Sequence, residues 1–474
     1  MRRSKIIATL GPAADRPGVL AGMVAAGMDG GRINCSHGSP AAWAAHAAAV
    51  RRHAADHGRT VALLADLQGP KMRLATSVRR REVAPGDEVV FVAGTRTRRA
   101  PDELAVAWPS FADLVGEGES EIVCGDGTPR FMATQVEGPA GARRVRAVCV
   151  AAGRLRPRQG IAVTHARGAA PSMTDKDIAD LDVVLGLGVE FVALSFVRSR
   201  RDVLRLRREL SRRRASDVRV VAKIEKLEAF ADLDEILAVS DGVMVARGDL
   251  GVEAGVARVP LLQKDIIHRA SEAGRLVITA TQMLESMVES PEPTRAEATD
   301  IANAIIDGTS AVMLSAETAV GRYPVQAVQA MAEIASVADQ AEIRHASLEN
   351  EESLTGAVMQ AAVLLAQRVG AEALVVPTSS GGSARACAKY RPRQPVIAIV
   401  DSPAVAGQLA LEWGVVPGIL PHPENAEELI RQSLRLAQEI SGLPDGARVV
   451  LTHGPVVARP GETNLIVVRR LGEA

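Results

Sequence analysis

Short apolar runs alternate along the chain with longer segments that have helical spacing. Eight such runs occur between residues 5 and 315, and helix-forming stretches such as residues 41–57 separate most of them. This alternation is typical of parallel βα units. Eight βα units predict an α/β protein built around a closed (β/α)8 barrel, the TIM barrel. The predicted strands are residues 5–10, 31–35, 61–67, 191–196, 218–224, 242–246, 276–280 and 311–315.

Two stretches break this rhythm and predict further domains. Residues 75–165 are rich in Gly, Pro and Arg, have short β-like pieces and lack a long helical pattern, which predicts a small all-β lid domain inserted into the barrel. After about residue 340 the alternation restarts, with predicted strands at 374–377, 396–400, 448–451 and 464–468. The expected domains are a barrel of residues 1–74 and 166–340, a lid of residues 75–165, and an open C-terminal α/β domain of residues 341–474.

Composition narrows the possible classes of function. Lys plus Arg and Asp plus Glu both number 56, which argues against a general nucleic-acid or membrane-surface binder because no basic field dominates. The four cysteines are scattered without a CxxC pair, which indicates reduced thiols rather than disulfides or a zinc site. The sequence shows no secretory signal and no apolar stretch of about twenty residues. We therefore expect a cytoplasmic protein with neither nucleic acid nor membrane as a partner.

Polar and charged residues follow nearly every predicted barrel strand. In a TIM barrel the active site forms at this end of the strands. Any single one of these residues could be a solvated loop residue, but the whole set predicts a site at the barrel mouth. The set includes Thr9, Arg32, Asn34, Ser36, His37, Asp66, Arg73, Ser195, Arg198, Lys223, Glu225, Arg247, Asp249, Thr281, Gln282, Ser315 and Glu317.

Two carboxylates of this set predict a metal site. Lys223 and Glu225 are two residues apart on one strand, so their side chains leave the same face. Asp249 follows the adjacent strand, so it can approach Glu225 across the barrel mouth. Carboxylates with oxygen-rich surroundings suit Mg²⁺ or Mn²⁺. The alternative is a simple Lys223–Glu225 salt bridge without a metal.

Positive charge and free backbone N–H groups accompany this candidate metal site. The Gly-rich segment 248–253 could open a short helix, whose N–H groups would bind an anion such as a carboxylate. Arg32, Arg73 and Lys223 add fixed positive charge. Transfer of a phosphoryl group needs this combination of positioning and charge neutralisation, with little covalent chemistry from the protein.

Several motifs around these residues resemble those of the pyruvate kinase family. The resemblance runs from residue 4 to the C-terminus, and its motifs between residues 220 and 325 are long and occur in order. The matching segments read GRINCSHG (31–38), KIE (223–225), SDGVMVARGDLGVE (240–253), ATQMLESM (280–287), PTRAE (293–297) and VMLSAETA (312–319).

The resemblance implies a function and a role for each matching residue. The implied reaction is Mg²⁺-dependent phosphoryl transfer from phosphoenolpyruvate to ADP, which gives pyruvate and ATP in glycolysis. Arg32 would contact the phosphoryl group, Lys223 would stabilise it in flight, and Glu225 and Asp249 would bind the divalent metal. The remaining implied roles are substrate carboxylate binding by the backbone at Gly248 and Asp249, enolate protonation at Thr281, nucleotide binding by Asn34, His37 and Arg73, and a monovalent-cation site at Asn34, Ser36, Asp66 and the carbonyl of Leu67.

Lys71 departs from the family pattern. Many relatives that need K⁺ carry Glu at this position, within the segment 66–73. An ammonium group beside Asp66 could supply the charge that K⁺ otherwise brings. We therefore expect K⁺ to be dispensable, with a solvent-facing Lys71 as the alternative.

The end of the lid also departs from the family. Relatives typically read KGVNLP where this chain reads QGIAVTH at residues 159–165. A positive charge and an Asn near the nucleotide are lost, and Arg158 could compensate. The departure bears on nucleotide affinity and lid closure more than on the chemistry.

A loop of the C-terminal domain resembles the family's phosphate-binding effector loop. Hydroxyls and free N–H groups in such a loop suit a sugar phosphate or AMP. The basic residue often found there is Gly382 in this chain, and an ordinary strand-to-helix loop is the alternative interpretation. The candidate effector residues are Thr378, Ser379, Ser380, Gly381 and Ser383.

Two other functions remain open at this point. A catalytically weak paralogue could sense phosphoenolpyruvate or a sugar phosphate, but the loss of Lys223, Glu225, Asp249 or Thr281 that would favour it has not occurred. A related barrel enzyme could make or break carbon–carbon bonds at a pyruvate enolate, and it would need neither the nucleotide residues nor a hinged lid.

The resemblance also implies a homotetramer with allosteric control.

Overall fold

The computed structural model describes residues 2–95, 102–125, 127–139, 143–166, 171–341, 353–421, 423, 425–454 and 463–472. The chain begins with strands and helices in alternation. They are β1 (Lys5–Leu10), α1 (Val19–Ala25), β2 (Gly30–Asn34), α2 (Pro40–Asp56) and β3 (Ala62–Asp66). Helix α2 starts after Ser39, whose side chain accepts a hydrogen bond from the Ala42 N–H, and Pro40 stands in its first turn.

An all-β domain is inserted after β3. Its strands are β4 (Met72–Arg73), β5 (Arg81–Val83), β6 (Glu88–Ala93), β7 (Glu103–Val106), β8 (Glu121–Cys124), β9 (Arg130–Glu137), β10 (Arg144–Ala151), β11 (Gly153–Leu155) and β12 (Gly160–Val163). Seven of them form one sheet in the order β4-β12-β8-β9-β10-β6-β7, and β11 pairs with β5.

The inserted domain has a core of its own. Phe91 lies 5.9 Å from Phe111 and 5.3 Å from Phe131, measured between ring centroids. All three rings are buried, and they are half of the six phenylalanines in a chain with few aromatic residues. This core is separate from that of the barrel.

The barrel resumes after the inserted domain. Its further elements are α3 (Asp175–Gly186), β13 (Phe191–Leu194), α4 (Arg200–Arg212), β14 (Arg219–Ile224), α5 (Leu227–Ala231), α6 (Leu233–Val239), β15 (Gly242–Ala246), α7 (Arg247–Ala254), α8 (Val259–Glu272), β16 (Leu276–Ala280), α9 (Arg295–Ile306), β17 (Ala311–Leu314), α10 (Ala316–Ala319) and α11 (Pro324–Ala338). Eight parallel strands close in the order β1-β17-β16-β15-β14-β13-β3-β2. The predicted TIM barrel is confirmed, and each predicted strand overlaps an observed one.

The C-terminal domain is an open α/β sheet, as predicted. It contains α12 (Leu354–Arg368), β18 (Ala373–Pro377), α13 (Gly382–Lys389), β19 (Val396–Val400), α14 (Pro403–Leu409), β20 (Val415–Ile419), α15 (Ala426–Ser441), β21 (Arg448–His453) and β22 (Leu465–Arg470). The strand order is β20-β19-β18-β21-β22, and only β22, at one edge, is antiparallel to its neighbour. The sequence pattern missed β20, since Pro417 and Gly418 interrupt its apolar run. The residue limits predicted for the three domains stay predictions.

The C-terminal domain closes one end of the barrel. Leu411, which follows α14, is fully buried among the apolar side chains inside the barrel. A methyl group added at Gly30, the first residue of β2, would lie 2.9 Å from the Leu411 side chain. Leu411 therefore closes the apolar interior of the barrel at the end where the strands start. No helix among the described residues is long and apolar enough to cross a membrane.

Candidate active site

Asp66, the last residue of β3, is the buried carboxylate at the centre of the barrel mouth. Its Oδ2 atom lies 2.7 Å from Arg32 Nη2 and accepts a hydrogen bond from Arg32 Nε, and its Oδ1 atom lies 3.2 Å from Lys223 Nζ. Burial alone would raise the pKa of Asp66, but the charges of Lys223 and Arg32 outweigh it and lower the pKa. The carboxylate therefore stays ionised and fixes two cations beside each other.

Lys223, near the end of β14, has an acceptor for each of its three ammonium protons. Its Nζ atom lies 2.7 Å from Ser195 Oγ, 3.0 Å from Glu225 Oε1 and 3.2 Å from Asp66 Oδ1. Burial alone would lower the pKa of Lys223, but the charges of Asp66 and Glu225 raise it above its ordinary value. Lys223 is therefore a rigid, permanently charged cation at the mouth.

Glu225 and Asp249 are the two carboxylates that could hold a metal ion. Glu225 is buried, and its Oε2 atom accepts the Phe196 N–H at 2.7 Å. Burial, and then the negative charge of Asp249, raise the pKa of Glu225, although Lys223 opposes the shift. Since the charge of Asp249 acts on Glu225, the two carboxylates are close enough to share a cation.

Two carboxylates, those of Glu225 and Asp249, fit a metal ion that takes most of its ligands from water and substrate. Among the described residues no three His, Cys, Asp or Glu side chains are grouped as a metal site. A cation at Glu225 and Asp249 would thus complete its shell with water and substrate oxygens. Mg²⁺ and Mn²⁺ at phosphate-binding sites are commonly held in this way.

The Lys71 ammonium lies beside Asp249. Its Nζ atom is 3.6 Å from Asp249 Oδ2, whereas the ion pairs of Asp66 are with Arg32 and Lys223. The expected position beside Asp66 therefore differs from the ion pair that forms. About one-third of each side chain is exposed, 32% for Lys71 and 35% for Asp249, so the alternative of a Lys71 side chain that only faces solvent does not describe this ion pair either.

Thr281 sits in a turn of unusual backbone conformation after β16. Thr281 and its neighbour Gln282 have φ angles of 70° and 52°, a region that non-glycine residues seldom adopt. Arg247 donates hydrogen bonds to both carbonyls, at 2.7–3.0 Å to Thr281 and 2.9 Å to Gln282. No individual role for Arg247 could be predicted from the sequence, but its guanidinium group holds this turn in place.

The same turn joins Thr281 to the Gly-rich segment of α7. The Gly248 N–H donates to Thr281 Oγ1 at 2.9 Å, and that hydroxyl donates to the Ala280 carbonyl at 2.6 Å. Gly248 and Asp249 lie in the first turn of α7, where N–H groups lack partners within the helix. The hydroxyl of Thr281 and the candidate carboxylate-binding backbone are therefore adjacent.

The residues predicted to bind nucleotide lie on the side of the mouth next to the inserted domain. The Asn34 side chain accepts the Ser36 N–H at 3.1 Å, and the Asn34 carbonyl accepts the His37 N–H at 3.1 Å. Desolvation, followed by the charges of Arg73, Lys71 and Arg32, lowers the pKa of His37. Three cationic side chains therefore lie near His37, and such surroundings suit a polyanion such as a nucleotide. Leu67 lies next to this side of the mouth, and its carbonyl accepts a hydrogen bond from Ser195 Oγ at 2.7 Å.

The altered end of the lid belongs to its connection with the barrel. Strand β12 pairs with β4, and the Gln159 carbonyl accepts the Leu74 N–H at 2.8 Å. Arg73 donates to the Arg158 carbonyl at 3.1 Å. Residues 158–163 therefore pair with residues 72–74 at the edge of the seven-stranded sheet and form the stem of the lid, so the departure there affects how the lid is held.

The candidate effector loop connects β18 to α13, far from the mouth. The Gly381 N–H donates to Thr378 Oγ1 at 3.1 Å, and Ser383 Oγ is 2.8 Å from Thr463 Oγ1. Arg385, which the sequence did not single out, donates to the Ser380 carbonyl at 2.9 Å. Its guanidinium lies so close under the loop that a methyl group at Gly381 would be 2.8 Å from it. The positively charged Arg385 therefore lies beside the loop, although this chain has Gly382 where relatives often have a basic residue.

Comparison with known proteins gives consistent matches over the whole chain. The family model described as pyruvate kinase, barrel domain, matches residues 1–328, and the model described as pyruvate kinase, alpha/beta domain, matches residues 356–469. The chain is 38% identical to a pyruvate kinase of Geobacillus stearothermophilus and 37% identical to one of Sporosarcina psychrophila, in each case over 100% of this chain and 81% of the relative. It is 38% identical to a protein named pyruvate kinase 2 of Synechocystis, over 98% of this chain and 79% of the relative.

Proposed function

We propose that this chain, which belongs to the pyruvate kinase family and is a phosphotransferase, transfers the phosphoryl group of phosphoenolpyruvate to ADP and forms pyruvate and ATP in glycolysis. The observation that carries the proposal is the cluster of Arg32 and Lys223 around buried Asp66, next to two carboxylates that can hold a divalent ion. Fixed cations and a metal are what phosphoryl transfer requires.

Glu225 and Asp249 would hold Mg²⁺ or Mn²⁺, which when bound supplies charge neutralisation for the carboxylate and phosphate of the substrate. Arg32 and Lys223 would neutralise the phosphoryl oxygens. The backbone around Gly248 and Asp249, where the Gly248 N–H donates to Thr281 Oγ1 in this structure, would hold the substrate carboxylate. The bond from phosphorus to the enol oxygen breaks while a bond to the terminal oxygen of ADP forms. Because these groups are fixed before the reaction, little reorganisation is needed.

The enolate that remains must gain a proton at its methylene carbon to become pyruvate. Thr281 is the residue we assign to this side of the substrate. Its hydroxyl already donates to the Ala280 carbonyl, and a threonine hydroxyl is a poor acid at neutral pH, so water delivers the proton. Arg247 keeps Thr281 in its left-handed conformation and so fixes the direction of the hydroxyl.

Nucleotide binding is assigned to Asn34, His37 and Arg73, on the positive side of the mouth. A sensor paralogue would have no reason to keep Lys223, Glu225, Asp249 and Thr281 together, and all four are present. A barrel enzyme acting on carbon–carbon bonds would need neither this nucleotide side nor the inserted domain. The transferase is therefore the better-supported function.

We expect pyruvate formation from phosphoenolpyruvate, ADP and Mg²⁺ to proceed at equal rates in Na⁺ and in K⁺. The physical reason is that the Lys71 ammonium already brings a positive charge to the barrel mouth, although it lies beside Asp249 and not beside Asp66. The measurement is the initial rate of pyruvate release in matched chloride buffers. A Lys71→Glu variant is the control, and it should depend on K⁺. A large rate gain of the unaltered enzyme on replacing Na⁺ by K⁺ would contradict the assignment.

We also propose that residues 378–383 bind a phosphorylated effector, a sugar phosphate or AMP. The hydroxyls of the loop and the nearby Arg385 support a phosphate ligand. Arg385 also contacts Glu412 at 3.2 Å and Gln408 at 3.1 Å, and Gln408 accepts from Arg219 at the start of β14. A phosphate that binds Arg385 would therefore weaken the contacts of Arg385 with Glu412 and Gln408. Through Gln408 this change would reach Arg219, at the start of the strand that carries Lys223.

The expected result is that sugar phosphates or AMP shift the phosphoenolpyruvate saturation curve. A Ser380→Asp variant should lose the shift, because its carboxylate repels the phosphate, whereas Ser211→Asp on the exposed face of α4 should keep it. Steady-state kinetics across a panel of these compounds is the measurement. Saturation curves that no compound changes would exclude the effector role.

We further propose a homotetramer. Helix α12 exposes Leu354 and Leu364, at 61% and 43%, and edge strand β22 exposes Leu465 and Val468. Apolar helix faces and open strand edges are surfaces that proteins commonly cover by association. Sedimentation equilibrium should give four times the chain mass of 49.9 kDa, and Leu364→Glu should lower it. A mass equal to one chain would disprove the assembly.

A further inference from the structure

We propose that Lys71 is a tethered cation that competes with the divalent metal for Asp249. Metal binding must then break the Lys71–Asp249 ion pair and send the ammonium toward the nucleotide side of the mouth. This inference rests on the proposed metal site and adds a role for Lys71 that differs from replacing a monovalent ion. It would make metal binding and nucleotide binding energetically coupled.

The first observation is the pairing itself. Lys71 Nζ lies 3.6 Å from Asp249 Oδ2, and in the described part of the chain Asp249 has no other ion pair. Glu225, by contrast, shares the Lys223 ammonium at 3.0 Å. Each of the two proposed metal ligands therefore already contacts a lysine ammonium, but only Asp249 has a lysine that it shares with no other carboxylate among the described residues. A divalent ion at Asp249 would repel an ammonium group only 3.6 Å from the same oxygen, so one of the two must leave.

The second observation is that the backbone of Lys71 cannot move far. The preceding turn is held by Asp177, whose Oδ1 atom accepts the Gly69 N–H at 3.0 Å, and Gly69 has a φ of 65° that favours glycine. The Lys71 N–H in turn donates to the Gly69 carbonyl at 2.8 Å. Only the flexible side chain can respond, so displacement means a swing of the ammonium group rather than a movement of the loop.

The third observation fixes where the ammonium can go. A methyl group added at Gly160 on β12 would lie 3.5 Å from Lys71 Cε, so the stem of the lid borders the lysine on one side. The charge of Lys71 also acts on His37, together with that of Arg73. An ammonium released from Asp249 therefore faces the pocket side assigned to the nucleotide phosphates, where a polyanion would attract it.

The test is a titration of the protein with Mn²⁺ followed by electron paramagnetic resonance, without phosphoenolpyruvate or ADP. The Lys71→Gln substitution removes the ammonium that competes with the metal ion. We expect it to tighten Mn²⁺ binding about 3- to 30-fold, the range expected for the loss of one partly exposed positive charge beside the metal site. Lys226→Gln is the matched control, because Lys226 forms a different ion pair, with Glu253 at 2.6 Å. It should bind Mn²⁺ as the unaltered protein does.

Asp249→Asn separates this inference from the proposed function. Weak Mn²⁺ binding by Asp249→Asn together with tighter binding by Lys71→Gln supports the competition. If Asp249→Asn binds weakly but Lys71→Gln is unchanged or weaker, the competition is overturned while the metal site stands. If Asp249→Asn binds Mn²⁺ normally, both the metal site at Asp249 and the competition are wrong. Circular dichroism of each variant checks that the fold is intact.

Discussion

The buried carboxylate of Asp66 is the charge on which the barrel mouth depends. Arg32 and Lys223 are both cations, and neither would remain buried next to the other without the anion between them. Lys223 in turn contacts Glu225 and Ser195. The position of Glu225, a candidate metal ligand, therefore depends on the ion pair between Asp66 and Lys223. One carboxylate thus sets the orientation of the phosphoryl-binding cations and of one side of the metal site.

The charged network lies at the end of the barrel opposite the C-terminal domain. Leu411 of that domain closes the apolar interior at the strand starts, whereas Asp66, Lys223 and Glu225 lie where the strands end. The inserted domain then borders the mouth through its stem at β4 and β12. The C-terminal domain thus lies at one end of the barrel, and the inserted domain borders the other end, where the polar site lies.

Much of this could be predicted from the sequence, because it depends on local pattern. The strand runs predicted the barrel, and the two-residue spacing of Lys223 and Glu225 predicted that they share a face. The partner of Lys71, the turn-holding role of Arg247 and the position of Arg385 could not be predicted. Each depends on how a long side chain crosses between elements far apart in the chain, which periodicity does not encode. Strand β20 was missed for a local reason, since its Pro417 and Gly418 weaken the apolar signal.

The most direct test of the central claim compares ATP and pyruvate formation by Lys223→Gln and Lys226→Gln. Both remove one lysine charge, but only Lys223 contacts Asp66 and Glu225, whereas Lys226 pairs with Glu253. The Lys223 variant should lose at least about 10²-fold in turnover, as when a fixed group that stabilises the transition state is removed, while the Lys226 variant stays near the unaltered rate. Equal turnover by two folded variants would contradict the assignment of Lys223 and the mechanism built on it.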